Sequence, residues 1–344
     1  MLWRLYARLR PRAGTTHPTR RLVQQGTVRR ERNTLRVIAI ATVLAIAMAL
    51  SAASAQAVSI VVTVHPLALL LHEIGGEEVD VHVLVPPGAS PHSFEPKPSD
   101  LVRLARADGF LSIGGGLDDW AGRLSTTAGR TDNIATLLGL VGKKDDAHHG
   151  HGAQSEAHGD DDDDDEHGDD PHIWLDPMLV EREIVPALSG FLARVDPANA
   201  ALYSARADQF RKRLVKLDKE VEALLASDAR HYVAFHNAWR HFAARYDLHE
   251  IAVVQEMAGE EPTPRELGNL VREARRAKLE SILIEPQLDP RLAVTISAEF
   301  GGTTVLVDPL GDPHDPERST YPGLMRFNAR AFRAAMVQRN GESH

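Results

Sequence analysis

From residue 58 onward the chain alternates short apolar runs with longer stretches whose apolar residues recur every three or four positions. VSIVVTV (58–64) predicts a buried strand, residues 67–74 a helix stopped by Gly75 and Gly76, and VDVHVLV (79–85) a second strand. A helix over 98–106 and a third strand over 110–113 follow. Strands separated by helices imply parallel pairing, because the chain must cross back over the sheet before it can run in the same direction again.

The middle of the chain reads as helix. Residues 178–194 carry one helical pattern, and a longer one follows Asp196, placed to cap it with Pro197 in the first turn. Phe210, Leu214, Leu217, Val221 and Leu224 recur at spacings of four and three, which makes one apolar stripe on an otherwise charged rod. Such a rod can lie along two lobes and join them. The second half then repeats the first in kind, with strands expected at 231–235, 250–254, 281–285 and 303–307 and helices at 237–246, 264–277, 289–300 and 321–338. No short internal sequence repeat accompanies this echo. The expected fold is α/β: two βα lobes, each with a mainly parallel four-stranded sheet, over 58–195 and 229–344, joined by a linking helix over 196–228.

What precedes residue 58 reads as an address. An Arg-rich stretch up to Arg36 leads into an apolar run over 37–50, then into small residues ending Ala55-Gln56-Ala57, an A-x-A cleavage pattern. The run is shorter than the roughly 20 residues that a spanning helix needs, so residues 1–57 are expected to be an export signal cleaved near Ala57, with an uncleaved anchor as the alternative. The long basic region and the absence of Met between Met1 and Met48 also allow a start at a non-Met codon such as that of Val28. Those first 36 residues carry ten Arg and one Glu, so their loss takes a chain of net charge −9 to −18. The location implied is the periplasm.

Of the remaining acids, twelve fall between Asp145 and Asp170. His148, His149, His151, His158 and His167 are interleaved with them, in a tract too polar and self-repelling to bury. An Asp run alone is a solvated spacer. Imidazoles mixed with carboxylates, however, are the donor set that zinc and its neighbours accept, so the tract is expected to be a disordered, metal-collecting loop. It argues for a cation partner and against nucleic acid. Ordering a flexible segment around an ion costs entropy, which makes the loop a weak binder and puts a tight site elsewhere. With no Cys in the chain, any metal is held by nitrogen and oxygen, and neither a disulfide nor a lipid-modified Cys is available.

In open parallel sheets ligands bind beyond the carboxyl ends of the strands. His92 lies in the loop after 79–85, His236 directly follows the strand ending at Phe235, and Asp308 follows the strand ending at Val307. His172 closes the acidic tract, just before apolar Ile173, Trp174 and Leu175. Singly, each could be a capping or core residue. Together they are three imidazoles and a carboxylate, two from each lobe, facing one cleft. The segments PHSFEP (91–96), PHIWLDP (171–177), FHNAW (235–239), IEPQ (284–287) and DPLG (308–311), in this order, resemble the metal-binding substrate-binding proteins of bacterial ABC importers, the family divided between zinc and manganese uptake.

That resemblance implies that His92, His172 and His236 are metal ligands and that Asp308 is the fourth, with Glu285 or water as alternatives there. A His-rich loop ahead of the second ligand, and a His where the manganese branch has a carboxylate, resemble the zinc branch. Three neutral imidazoles also suit zinc better than manganese, although Cu(II) and Ni(II) compete by raw affinity. His65 is an auxiliary candidate. Glu95 and Glu285 are candidates to orient imidazoles, Trp174 and Trp239 to pack beside them, and His241, His249 and His314 read as surface or packing residues. The implied function is capture of Zn(II) by a monomer and delivery to an inner-membrane ABC permease with its ATPase. A manganese-binding homologue and a periplasmic zinc buffer or adhesin are the alternatives. A zinc hydrolase is disfavoured by the absence of HExxH, of a thiol and of a Gly-x-Ser-x-Gly elbow, and by four protein ligands leaving no open position for water.

Overall fold

A computed structural model describes residues 57–142, 170–255 and 262–336. Residues 1–56 of the expected export signal and the tract residues His148, His149, His151, His158 and His167 lie outside them.

The first lobe opens with β1 (Val58–Val62), α1 (His65–Gly75) and β2 (Val79–Val83). It continues with α2 (Pro98–Arg106), β3 (Gly109–Ser112), α3 (Trp120–Thr127), β4 (Ile134–Thr136) and α4 (Leu137–Gly142). Its strands pair in the order β2-β1-β3-β4, all parallel, with Val58 opposite Val79 and Val62 opposite Val83. β4 is three residues long and largely exposed at the sheet edge, so apolar patterning does not announce it. α1 is buried on nearly every side, which explains its continuous apolar run.

After Asp170 the chain makes a single helical turn (Pro177–Leu179), a widened π turn (Val180–Ile184) and then α5 (Val185–Val195). The widened turn lies just ahead of Pro186, which has no N–H for the carbonyl four residues back and whose ring would clash there. The long helix α6 (Ala200–Leu225) begins later than the sequence suggests. Asp196 does not cap it, because its carboxylate accepts from the Asn199 side-chain amide at 2.7 Å and the Tyr203 hydroxyl at 2.5 Å, and a short 3-10 turn (Pro197–Asn199) intervenes. The apolar stripe forms as read, with Phe210, Leu214, Leu217 and Val221 buried and Leu225 taking the last buried place instead of Leu224.

The second lobe holds β5 (His231–His236), α7 (Arg240–Tyr246), β6 (His249–Gln255) and α8 (Pro264–Arg276). β7 (Ser281–Ile284), α9 (Pro290–Glu299), β8 (Thr303–Leu306) and α10 (Tyr321–Met336) complete it. The strand order β6-β5-β7-β8, again all parallel, copies the first sheet. In both sheets the crossovers change direction at the founding strand, β1 or β5, which opens a crevice at its carboxyl end.

One continuous apolar core runs from Ile60 and Phe191 through α6 to Tyr321 and Phe332, and a smaller one fills the space between the second sheet and helices α8 and α9. α6 is tied to both lobes: Arg213 pairs with Glu73 of α1 at 2.6 Å and Glu220 with Arg326 of α10 at 2.7 Å. Asp218, only 5% exposed, takes Arg245 of α7 and accepts from the Tyr246 hydroxyl at 3.2 Å.

Candidate metal centre

Three imidazoles converge in the cleft. The ring centroids of His92 and His172 are 6.1 Å apart, and each is 5.4 Å from that of His236. One nitrogen from each lies within 4.8 Å of the other two. Around a tetrahedral zinc with bonds near 2.0–2.1 Å, two nitrogens stand about 3.4 Å apart, so these rings close on an ion by roughly an ångström. His172 and His236 are 4% and 5% exposed, and His92 is partly open, which leaves its side as the approach for an ion.

Two of the rings are held by the far nitrogen and the third through its loop. The His92 loop is pinned by the Trp120 indole N–H, which donates to the Pro91 carbonyl at 2.9 Å, and by Phe94 packing on Trp120. Nε2 of the His92 ring is buried with no hydrogen-bond partner among the described residues. His172 leads into a buried 3-10 turn (Ile173–Leu175), and its Nδ1 donates to Asp170 Oδ1 at 2.7 Å, while the same oxygen accepts its backbone N–H at 3.0 Å. His236 ends β5 and reaches Glu285 Oε2 through Nδ1 at 3.3 Å. The other oxygen of Glu285 accepts from the Trp239 indole at 3.1 Å. An acceptor on Nδ1 of His172 and of His236 fixes the tautomer that frees their Nε2 lone pairs, which is the state a metal needs.

Electrostatics keep the site ready. Burial, helped by the two neighbouring imidazoles, pushes the His92 pKa down to about 4, so the ring is neutral at pH 7. Burial also opposes charge on His236, but the Glu285 carboxylate outweighs it and holds that pKa above the ordinary value. Asp170 stays below the usual carboxylate range because bonding to His172 overcomes the effect of its burial.

Asp308 is not part of this group. Its carboxylate is 1% exposed and fully engaged: Oδ2 takes Arg318 at 2.7 Å, and Oδ1 accepts from the backbone of Leu310 and Gly311 and from the Gln287 amide. Its backbone is clasped in turn by the Asn328 side chain. The carboxylate therefore shapes the DPLG turn beneath the cleft. Glu95 is exposed on its loop and lies outside the lining of the cleft, whereas Glu285 lines it behind His236. His65 begins α1, its ring against Gly311, with a buried Nε2 that has no partner and a pKa lowered to about 4, chiefly by burial. It stands apart from the three clustered rings.

Trp174 packs on His172 at 5.2 Å and bonds across the lobes, its indole donating to the Pro309 carbonyl at 2.7 Å. His241 donates from Nε2 to the Asp170 carbonyl at 2.9 Å, while His249 and His314 lie at the surface. Patterning missed Asp170, Gln287 and Arg318. Asp170 could have been suspected, since Asp two positions ahead of a residue commonly accepts its N–H; the other two are brought in by the fold.

Residues 60–335 match the family model described as zinc-uptake complex component A, periplasmic. Zinc-binding protein AdcA of Streptococcus pyogenes serotype M3 is 26% identical over 80% of this chain, which spans only 55% of that relative's length. Manganese-binding lipoprotein MntA of Halalkalibacterium halodurans is also 26% identical, over 82% of this chain and 90% of its own, so identity does not separate the two metals. A crystal structure of ZnuA, 29% identical, superposes with a TM-score of 0.66 over 82% of this chain and all of that one. The match over most of the chain and the shared fold place the protein: it belongs to the family of the periplasmic component A of zinc-uptake complexes.

Proposed function

We propose that this protein captures Zn(II) between its lobes, through Nε2 of His92, His172 and His236, and delivers it to the permease of an ABC importer on the outer side of the cytoplasmic membrane. The observation that carries this reading is the convergence of three imidazoles in one pocket, two of them with Nδ1 engaged by a buried carboxylate. Neutral nitrogen donors without a carboxylate among them suit a borderline ion, whereas manganese prefers oxygen. Asp308, expected to supply that oxygen, is paired with Arg318, and the alternative Glu285 is engaged by His236 and Trp239.

With Asp308 withdrawn, three imidazoles leave a fourth position free, so a full set of protein ligands no longer argues against hydrolysis. What does, among the described residues, is that Glu285, the carboxylate lining the pocket, is bound to both His236 and Trp239 and is not free to act as a base. The family, too, is one of transport components. The histidine tract would supply ions to the cleft, and the leader would export the chain.

The test is chelator-competition titration with zinc and with manganese on wild type and on His92→Ala, His172→Ala and His236→Ala. One tight zinc equivalent, lost in each variant, is expected. Tighter manganese than zinc binding, or retention of the tight equivalent in all three variants, overturns the reading.

A further inference from the structure

Gln287 follows the pocket's Glu285 by two residues, and its side chain lines the same pocket as the three imidazoles. Its amide orientation is fixed by chemistry: the group 3.2 Å from Asp308 Oδ1 must be the NH2, since a carboxylate can only accept. Its Oε1 is therefore the other atom, and it is buried without a hydrogen-bond partner. A buried carbonyl with nothing to accept from is costly, by roughly 1–3 kcal/mol, and calls for a donor.

The described residues supply none, but a metal held by three imidazoles would. Its open fourth position would take a water, whose O–H groups would be better donors once the oxygen was bound to zinc. Resting on the zinc reading above, we propose that Gln287 Oε1 accepts a hydrogen bond from the water that completes the coordination of the captured ion. Asp308 then acts at one remove. Anchored by Arg318 and by the Leu310 and Gly311 N–H groups, it holds the Gln287 NH2 and leaves the carbonyl as the unpaired end of the amide. The carboxylate that the sequence offers as a ligand orients the residue that holds the ligand.

This arrangement favours a neutral water over an anion. A carboxylate at Oε1 would compete for the metal and repel Asp308, while a neutral carbonyl accepts a hydrogen bond without adding charge to the site.

The experiment loads full-length protein with Zn(II) alone. Gln287→Leu is expected to weaken zinc by about 10–100-fold, the usual effect of losing a group that bonds to a metal ligand, while keeping one equivalent bound. Gln287→Glu is expected to narrow the preference for zinc over manganese by adding oxygen. Because either variant can disturb the Asp308 turn, a second measurement uses the unaltered chain: the Gln287 side-chain NH2 resonances, followed by NMR during zinc addition, should shift and saturate at one equivalent. Resonances that stay in place while zinc binds, or a zinc affinity unchanged in a folded Gln287→Leu protein, overturn the proposal. Failure of the wild-type protein to bind zinc would overturn the zinc reading instead.

Discussion

Replacing Asp170 by Asn tests whether the carboxylate contacts to the imidazole Nδ1 atoms matter. The carboxylate accepts twice from His172, at 2.7 Å from Nδ1 and 3.0 Å from the backbone, and is itself 8% exposed. Asn is close in shape but carries no charge, and it can turn either its oxygen or its NH2 to the ring. With the NH2 facing Nδ1, the imidazole proton moves to Nε2 and the ring cannot ligate. With the oxygen facing it, a charge-assisted bond becomes a neutral one of about half the strength. Either outcome lowers metal affinity without removing a ligand, by about 10–100-fold, or roughly 1.4–2.7 kcal/mol. Competition titration at pH 7 should therefore give one zinc equivalent, a Kd raised by that factor, and an apo melting temperature within a few degrees of wild type. A Kd within about threefold of wild type would show that His172 is oriented by its buried turn alone, and the argument from tautomer control would fail.

Three further outcomes follow. Arg318→Ala should destabilise the apo protein by about 3–5 kcal/mol in denaturant unfolding, because it leaves buried Asp308 unpaired, while Asp308→Asn should keep the zinc equivalent that a ligand role would remove. Acid should weaken the apo fold: His65 and His92 are held near 4 against an ordinary 6.5, so the unfolded chain binds more protons in that window. The stability from keeping them neutral is whole above 6.5 and falls away towards 4, by less than about 3 kcal/mol per ring because both are partly accessible. His236, with its raised pKa, works in the opposite sense and loses its contribution as pH rises. A melting temperature flat from pH 7 to 5 would contradict this. Finally, excising 145–169 should leave the tight zinc equivalent in place, whereas extending the cut through Asp170 should weaken it, and equal affinities for the two deletions would contradict the Asp170 contact.

The primary structure by itself determined the alternation of strand and helix, since burial on both faces of a parallel sheet demands continuous apolar runs and a helix packed on one face demands a three-to-four period. It also placed His92, His172 and His236 at strand ends or beside a buried turn, where a crevice forms. Short elements escaped it: β4, with three residues at a sheet edge, leaves no pattern to read. Tertiary structure decided the roles of the acids. Asp308 looked like a ligand because it follows β8, but Arg318, ten residues on, folds back to neutralise it, and no local pattern records that return. Asp170, apparently one more acid of a solvated tract, is buried against His172 and His241. Whether a carboxylate meets a metal, a guanidinium or an imidazole depends on which distant side chain arrives within about 3 Å, and that is settled only when the whole chain has packed.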